Sequence, residues 1–106
     1  MTSFDNREKG FENKFAHDEE LNFKSIARRN KLLGLWAAEK LGKSGAEAEQ
    51  YAKDVVMADF ESSGDNDVVD KLLKDFGRTG INISANDIQK EMERLLPIAR
   101  SQVMGE

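Results

Sequence analysis

The chain reads as all-α, a four-helix bundle with a flexible N-terminal arm, and three observations predict it. Apolar residues recur at helical spacing in four separate stretches. Glycine stops and Ser-x-x-acid caps punctuate those stretches. A single proline among 106 residues, with 39% hydrophobic and 34% charged, suits helices better than a turn-rich sandwich. That length supports one domain with a respectable core, and amphipathic helices that cannot bury their faces singly must pack on one another. We expect an arm over residues 1–18 and a bundle over 19–106, with helices at about 20–41, 45–60, 66–77 and 85–103.

In the arm, Phe4, Phe11 and Phe15 stand out among charged, amide and small residues. At about 100° per residue the three rings fall within roughly 40° of arc on a helix. Asp18, Glu19 and Asn22 occupy nearly the same face further along, so a polar gap separates the rings from the apolar run that follows. With Gly10 in its middle, the arm by itself should be marginally helical or disordered in water. It either packs on its own bundle or binds a partner.

The first bundle helix carries Ile26, Leu33 and Trp36 on one face, widened by Leu32, Ala37 and Leu41, and Gly42 supplies a left-handed stop. Ser44, with Glu47 three residues on, opens the second helix as a capping box, and Tyr51, Ala52, Val55 and Val56 form its buried side. Glu61 to Asp67 is a turn by composition. Val68, Val69, Leu72, Leu73 and Phe76 give the third helix, which decays at Gly77 and Gly80. Ile81 and Ile83 alternate like a strand in a run too short to be one. Ser84 with Asp87 reads better as a cap, with Ile83 and Ile88 as the two ends of a hydrophobic staple. Ile88, Met92, Leu95 and Ala99 make the fourth helix, in which Pro97 should cause a kink or an early end.

Function classes narrow quickly. There is no cysteine, which excludes disulfides, thiol catalysis and cysteine-ligated zinc. A polar N-terminus and no long apolar run argue against export and membrane insertion. A net charge of −4 gives no general field for nucleic acid, and only Arg28, Arg29 and Lys31 could make a local basic contact. Those three form either a solvated face or a docking surface. Gly42, Lys43 and Ser44 imitate the end of a phosphate-binding loop, but Ala37 stands where it needs glycine. Glu61, Asp65 and Asp67 stop short of a calcium loop, with Val69 where a third ligand would fall. His17 beside Asp18, Glu19 and Glu20 is either a surface histidine or a pH sensor, since carboxylates favour the imidazolium. One histidine leaves little material for a triad, so we expect no catalytic residue, no metal and no cofactor.

The block Phe15 to Gly42, FAHDEELNFKSIARRNKLLGLWAAEKLG, closely resembles the zeta subunit of alphaproteobacterial F-type ATP synthases, a small non-enzymatic inhibitor of ATP hydrolysis. The likeness extends upstream through Phe4, Asp5, Arg7, Glu8, Phe11, Glu12 and Lys14, and downstream from Ala48 to Phe60. Pro97 and the Ser62 to Asn66 loop depart from the family pattern. The resemblance implies that Phe4, Arg7, Glu8, Lys9, Phe11, Lys14 and Phe15 enter a catalytic interface between alpha and beta subunits, near the gamma rotor. It further implies a cytoplasmic protein, monomeric when free and held peripherally at the inner membrane through ATP synthase. His17, Arg28 and Arg29 are candidates for docking or a pH response. The competing expectation is a small helical bundle that senses a nucleotide or acts as an adaptor.

Overall fold

The computed structural model describes the backbone of residues 2–61 and 65–106 and the side chains of 18–60 and 66–106. Four helices follow one another: α1 (Thr2–Lys40), α2 (Gly45–Glu61), α3 (Asp65–Arg78) and α4 (Ala85–Met104). Among the described residues there is no strand. Neighbours pack in a ring, with α1 against both α2 and α4, and α3 closing the ring between them. The arm and the first bundle helix form one 39-residue element. At 1.5 Å per residue this is about 58 Å, against about 30 Å or less for the others, and it accounts for the 66 Å long axis.

The ends of α1 and α3 follow glycine chemistry. Gly42 at φ 79° and Gly80 at φ 74° adopt the left-handed conformation that lets the chain reverse over the final turn. Lys43 N–H then donates to Ala38 O at 2.8 Å and Gly42 N–H to Glu39 O at 3.1 Å. The same paired closure ends α3, with Ile81 N–H on Phe76 O at 2.9 Å and Gly80 N–H on Gly77 O at 3.3 Å. It turns Ile81 back onto the core next to Phe76, which explains why a hydrophobic residue sits in this loop.

Leu33, Ala37, Val55, Val68, Leu72, Phe76 and Ile88 form the centre of the core, with Tyr51, Val69, Met92 and Leu95 around it. Trp36 is half-buried and meets Phe76 edge-on, with ring centroids 6.1 Å apart. Ser84 caps α4 as expected: its Oγ accepts from Asp87 N–H and the Asp87 carboxylate accepts from Ser84 N–H, each at 3.1 Å. The Ser84 backbone N–H, and after it the Ser84 hydroxyl, hold the Asp87 carboxyl below the usual aspartate range. Ile83 packs on the core and Ile88 lies in it, as a staple requires.

Four expectations need correction. Ile26 is 36% exposed, and the buried residues of that stretch are Ser25, Arg29 and Asn30. Val56 is only half-buried. At α2 no Ser44–Glu47 box forms among the described residues, because Gly45 at φ 57° bends the chain where a cap needs its first helical residue. Pro97 does not end α4, which continues to Met104. Pro97 lies on the exposed side, where water can take the Glu93 carbonyl it leaves unpaired, while Leu95 and Ala99 hold the helix to the core. Of the turn expected at Glu61 to Asp67, Glu61 ends α2 and Asp65 to Asp67 open α3, while residues 62–64 lie outside the described residues.

Candidate partner-binding site

The arm occupies the N-terminal half of α1, so Phe4, Arg7, Glu8, Lys9, Phe11, Lys14, Phe15 and His17 all stand on this helix. Their side chains lie outside the described residues, as do those of Glu61 and Asp65. The description resumes at the polar gap, where Asp18, Glu19 and Asn22 are exposed. Lys24 pairs with Glu20 one turn earlier at 3.0 Å, an exposed pair that contributes at most about 0.5 kcal/mol.

From there the end of α4 braces α1. Arg28 Nη1 donates to Gln102 Oε1 at 3.1 Å, and Arg28 Nη2 forms an ion pair with Glu106. Arg100 reaches Asn22 Oδ1 at 3.5 Å, and Ser25 Oγ donates back to Leu21 O at 2.7 Å. Arg28 is therefore half-buried and engaged within the chain. Arg29 is buried, with Nε and Nη2 donating to Asn30 Oδ1 at 3.2 and 2.9 Å. Asn30 is itself fully buried and its Nδ2 has no partner, an omission that costs about 1–3 kcal/mol. Arg29 also lines a groove of about 330 Å³ with Asn66, Val69, Gln89, Met92, Glu93 and Leu96. Of Arg28, Arg29 and Lys31, only Lys31 is exposed, so the three do not form one solvated face.

A second polar cluster joins α2 to α3. Tyr51 hydroxyl donates to Asp75 Oδ2 at 2.8 Å, Lys71 Nζ lies 3.2 Å from the same oxygen, and Lys71 and Lys43 sit over the Tyr51 ring at 5.2 and 6.0 Å. Burial, followed by the bond to Asp75 and its charge, pushes the Tyr51 pKa well above that of an ordinary tyrosine. A raised folded-state pKa means the stabilisation is fully present below about pH 10, the unfolded value, and is lost as pH rises beyond it. Tyr51→Phe should cost about 1 kcal/mol at neutral pH and flatten the fall in stability above pH 10. Urea melts of both proteins from pH 8 to 11 check this, and parallel curves would disprove it.

What spacing did not reveal is an exposed aromatic pair at the bundle end nearest the arm. Phe23 on α1 and Phe60 in the last turn of α2 have ring centroids 5.4 Å apart, tilted by 39°. Both remain at least half exposed. Phe60, as the last apolar residue before the turn, was the available sequence signal. Among the described residues no group of three or more His, Cys, Asp or Glu could hold a metal ion. Likewise, no helix of the described residues is long and apolar enough to cross a membrane.

Comparison with known proteins adds identity to this geometry. No curated protein matches the chain. A protein solved by solution NMR superimposes with a TM-score of 0.70 at 46% identity, over 80% of this chain and 96% of its own. Residues 1–102, the arm included, match the family described as ATPase inhibitor subunit zeta. This chain therefore belongs to the ATPase inhibitor subunit zeta family.

Proposed function

We propose that the protein inhibits ATP hydrolysis by an F-type ATP synthase, with residues 1–18 entering a catalytic interface between alpha and beta subunits close to the gamma rotor. The observation that carries this reading is α1 itself: one helix from Thr2 to Lys40, far longer than the bundle needs, in a chain of an inhibitor family. A helix wedged at an interface that closes in one sense of rotation stops hydrolysis and leaves synthesis free.

Phe4, Phe11 and Phe15 are the anchors. Rings buried at about 1.5–3 kcal/mol each offset the ordering of an arm that is marginally helical alone. Arg7, Glu8, Lys9 and Lys14 make rim contacts, and their loss should weaken binding less than loss of a ring. His17, at the base of the arm beside Asp18 to Glu20, and Arg29 are candidates for docking or a pH response, while Arg28 holds the base of the arm to α4 through Gln102 and Glu106. The free protein is a cytoplasmic monomer that takes no cofactor, catalyses nothing and reaches the inner membrane only through ATP synthase.

The test adds purified protein to the cognate catalytic head. The full chain should suppress hydrolysis, and deletion of residues 1–18 should abolish suppression while moving the unfolding midpoint by no more than a few degrees. A truncated protein that inhibits as well as the full chain would remove the arm from the mechanism.

A further inference from the structure

Among the described residues, α1 buries no apolar side chain before Leu33. Its buried positions upstream are Ser25, Arg29 and Asn30, with Leu21 and Ala27 half-buried. Polar or half-solvated contacts tie this stretch to its neighbours: Arg28 to Gln102 and Glu106, Arg100 to Asn22 at 3.5 Å, Phe23 against Phe60, and Arg29 along the groove between α3 and α4. From Leu33 onward the contact changes kind. Leu33, Ala37 and Ala38 are fully buried, and Gly34 brings α1 so close to α2 that a Cβ on it would stand 2.6 Å from Ala52 Cα. The change falls within about one turn, between Asn30 and Gly34.

We propose that residues 18–32 form a lever that swings off the bundle at Leu33 and Gly34 while α2, α3 and the rest of α1 stay packed, with Arg28 and Arg100 as its latch. The buried polar groups lower the free energy of this opening. Ser25 Oγ bonds Leu21 O and the Arg29 guanidinium bonds Asn30 Oδ1, so these bonds have both ends on α1 and travel with it. Asn30 Nδ2 is unpaired in the closed form and gains water in the open one. Exposed polar pairs such as those of the latch hold a helix down only weakly, and salt screens the charged ones. Opening leaves the apolar cluster of Leu33, Val55, Leu72 and Phe76 intact, and that cluster carries the main burial free energy.

A lever differs from the fraying of a helix end. Fraying loosens residues one after another from the terminus, whereas a latched lever opens as one unit with a boundary at Leu33. Once off α4, a helix of this length is marginal in water, so its amides exchange from the open form. The arm continues this helix without a break, so its direction relative to the bundle follows the latch.

Native-state amide exchange on the full-length chain tests this, at low salt and at roughly 0.5 M NaCl. Amides of residues 22–32 should share one protection factor, at least about tenfold below those of 37–40 and 68–76. Salt should speed exchange of 22–32 by about two- to fivefold and leave 68–76 unchanged, and Arg28→Gln should do the same at low salt. A further chain carries Asn22→Cys with Arg100→Cys joined by a short bismaleimide; the parent has no cysteine, so the link is unique. Linking should slow exchange of 22–32 by at least about fivefold relative to the unlinked double variant. Protection that is equal across 22–40 in the parent, or that declines steadily toward the N-terminus, overturns the proposal. So does a linked chain whose 22–32 amides exchange as fast as before linking, and so does a salt response shared equally by 68–76. None of these readings involves inhibition, so the lever and the arm's role in inhibition stand or fall separately.

Discussion

Phe76→Ala should remove about 3–5 kcal/mol of stability, the range for deleting a buried aromatic ring from a packed core. Phe76 is 1% exposed and is the largest fully buried side chain among the described residues. It serves two elements at once. Its ring receives Trp36 edge-on at 6.1 Å and 88°, and its carbonyl accepts the Ile81 N–H that closes α3. The backbone bond survives the substitution, but the ring volume between α1 and α3 does not, and neighbours held in packed helices can collapse only partly into the gap. Small domains hold about 5–15 kcal/mol in total, so this one change takes a large share. The unfolding midpoint should fall by more than about 12 °C, at 4–8 °C per kcal/mol for a domain of this size. Trp36 emission should shift to the red as water reaches the indole edge that Phe76 covers. A loss below 1 kcal/mol in urea melts would show that the ring is not the keystone its burial indicates.

Where the sequence was legible, each residue's environment was fixed by its own helix. Val68, Val69, Leu72 and Phe76 lie buried because the face of α3 that carries them packs between α2 and α4. Ser84 and Asp87 are legible because a cap needs only three consecutive residues. Ile26 was misread for the complementary reason. Periodicity gives the direction in which a side chain points, not whether another helix stands there, and around Ile26 the buried positions went to Ser25, Arg29 and Asn30. A buried arginine beside a buried asparagine has no signature in a hydropathy pattern, since each lowers the apparent amphipathicity of the stretch. Pro97 misled because a proline costs a helix most where the freed carbonyl is buried, and exposure could not be known beforehand. Spacing alone puts Phe4, Phe11 and Phe15 on one face of a helix, and their side chains lie outside the described residues. What such a strip binds depends on the partner's surface, about which spacing says nothing, so the block Phe15 to Gly42 had to supply it. The Phe23–Phe60 pair required both, since it exists only once α1 and α2 lie side by side.

The same substitution, glycine to alanine, should act with opposite sign at two helical positions. In a helix interior the exchange is worth about 1 kcal/mol in favour of alanine, through the backbone entropy glycine loses on folding. Gly77 meets a weaker form of that condition: it lies in the last turn of α3, is exposed, and a Cβ there would find nothing within 4 Å. Gly77→Ala should therefore stabilise the protein by about 0.5–1 kcal/mol. Gly34 lies inside α1 at the crossing with α2, where a Cβ would stand 2.6 Å from Ala52 Cα, 3.2 Å from Val55 Cγ2 and 3.3 Å from Ala52 Cβ. The first of these is backbone in the middle of a helix and cannot rotate away, so α1 and α2 must separate. Separation opens the packing of Leu33, Ala37 and Val55, all of them fully buried. Overpacking of this kind costs about 1–3 kcal/mol, and at such a short distance the upper part of that range applies. Against the helix-propensity gain, Gly34→Ala should lose about 1–2 kcal/mol net. Chemical denaturation of the two variants beside the parent should place them on opposite sides of it, about 1.5–3 kcal/mol apart. If Gly34→Ala proved as stabilising as Gly77→Ala, the close approach of α1 to α2 would be wrong. The register that sets Phe23 against Phe60 about three turns nearer the arm would fall with it.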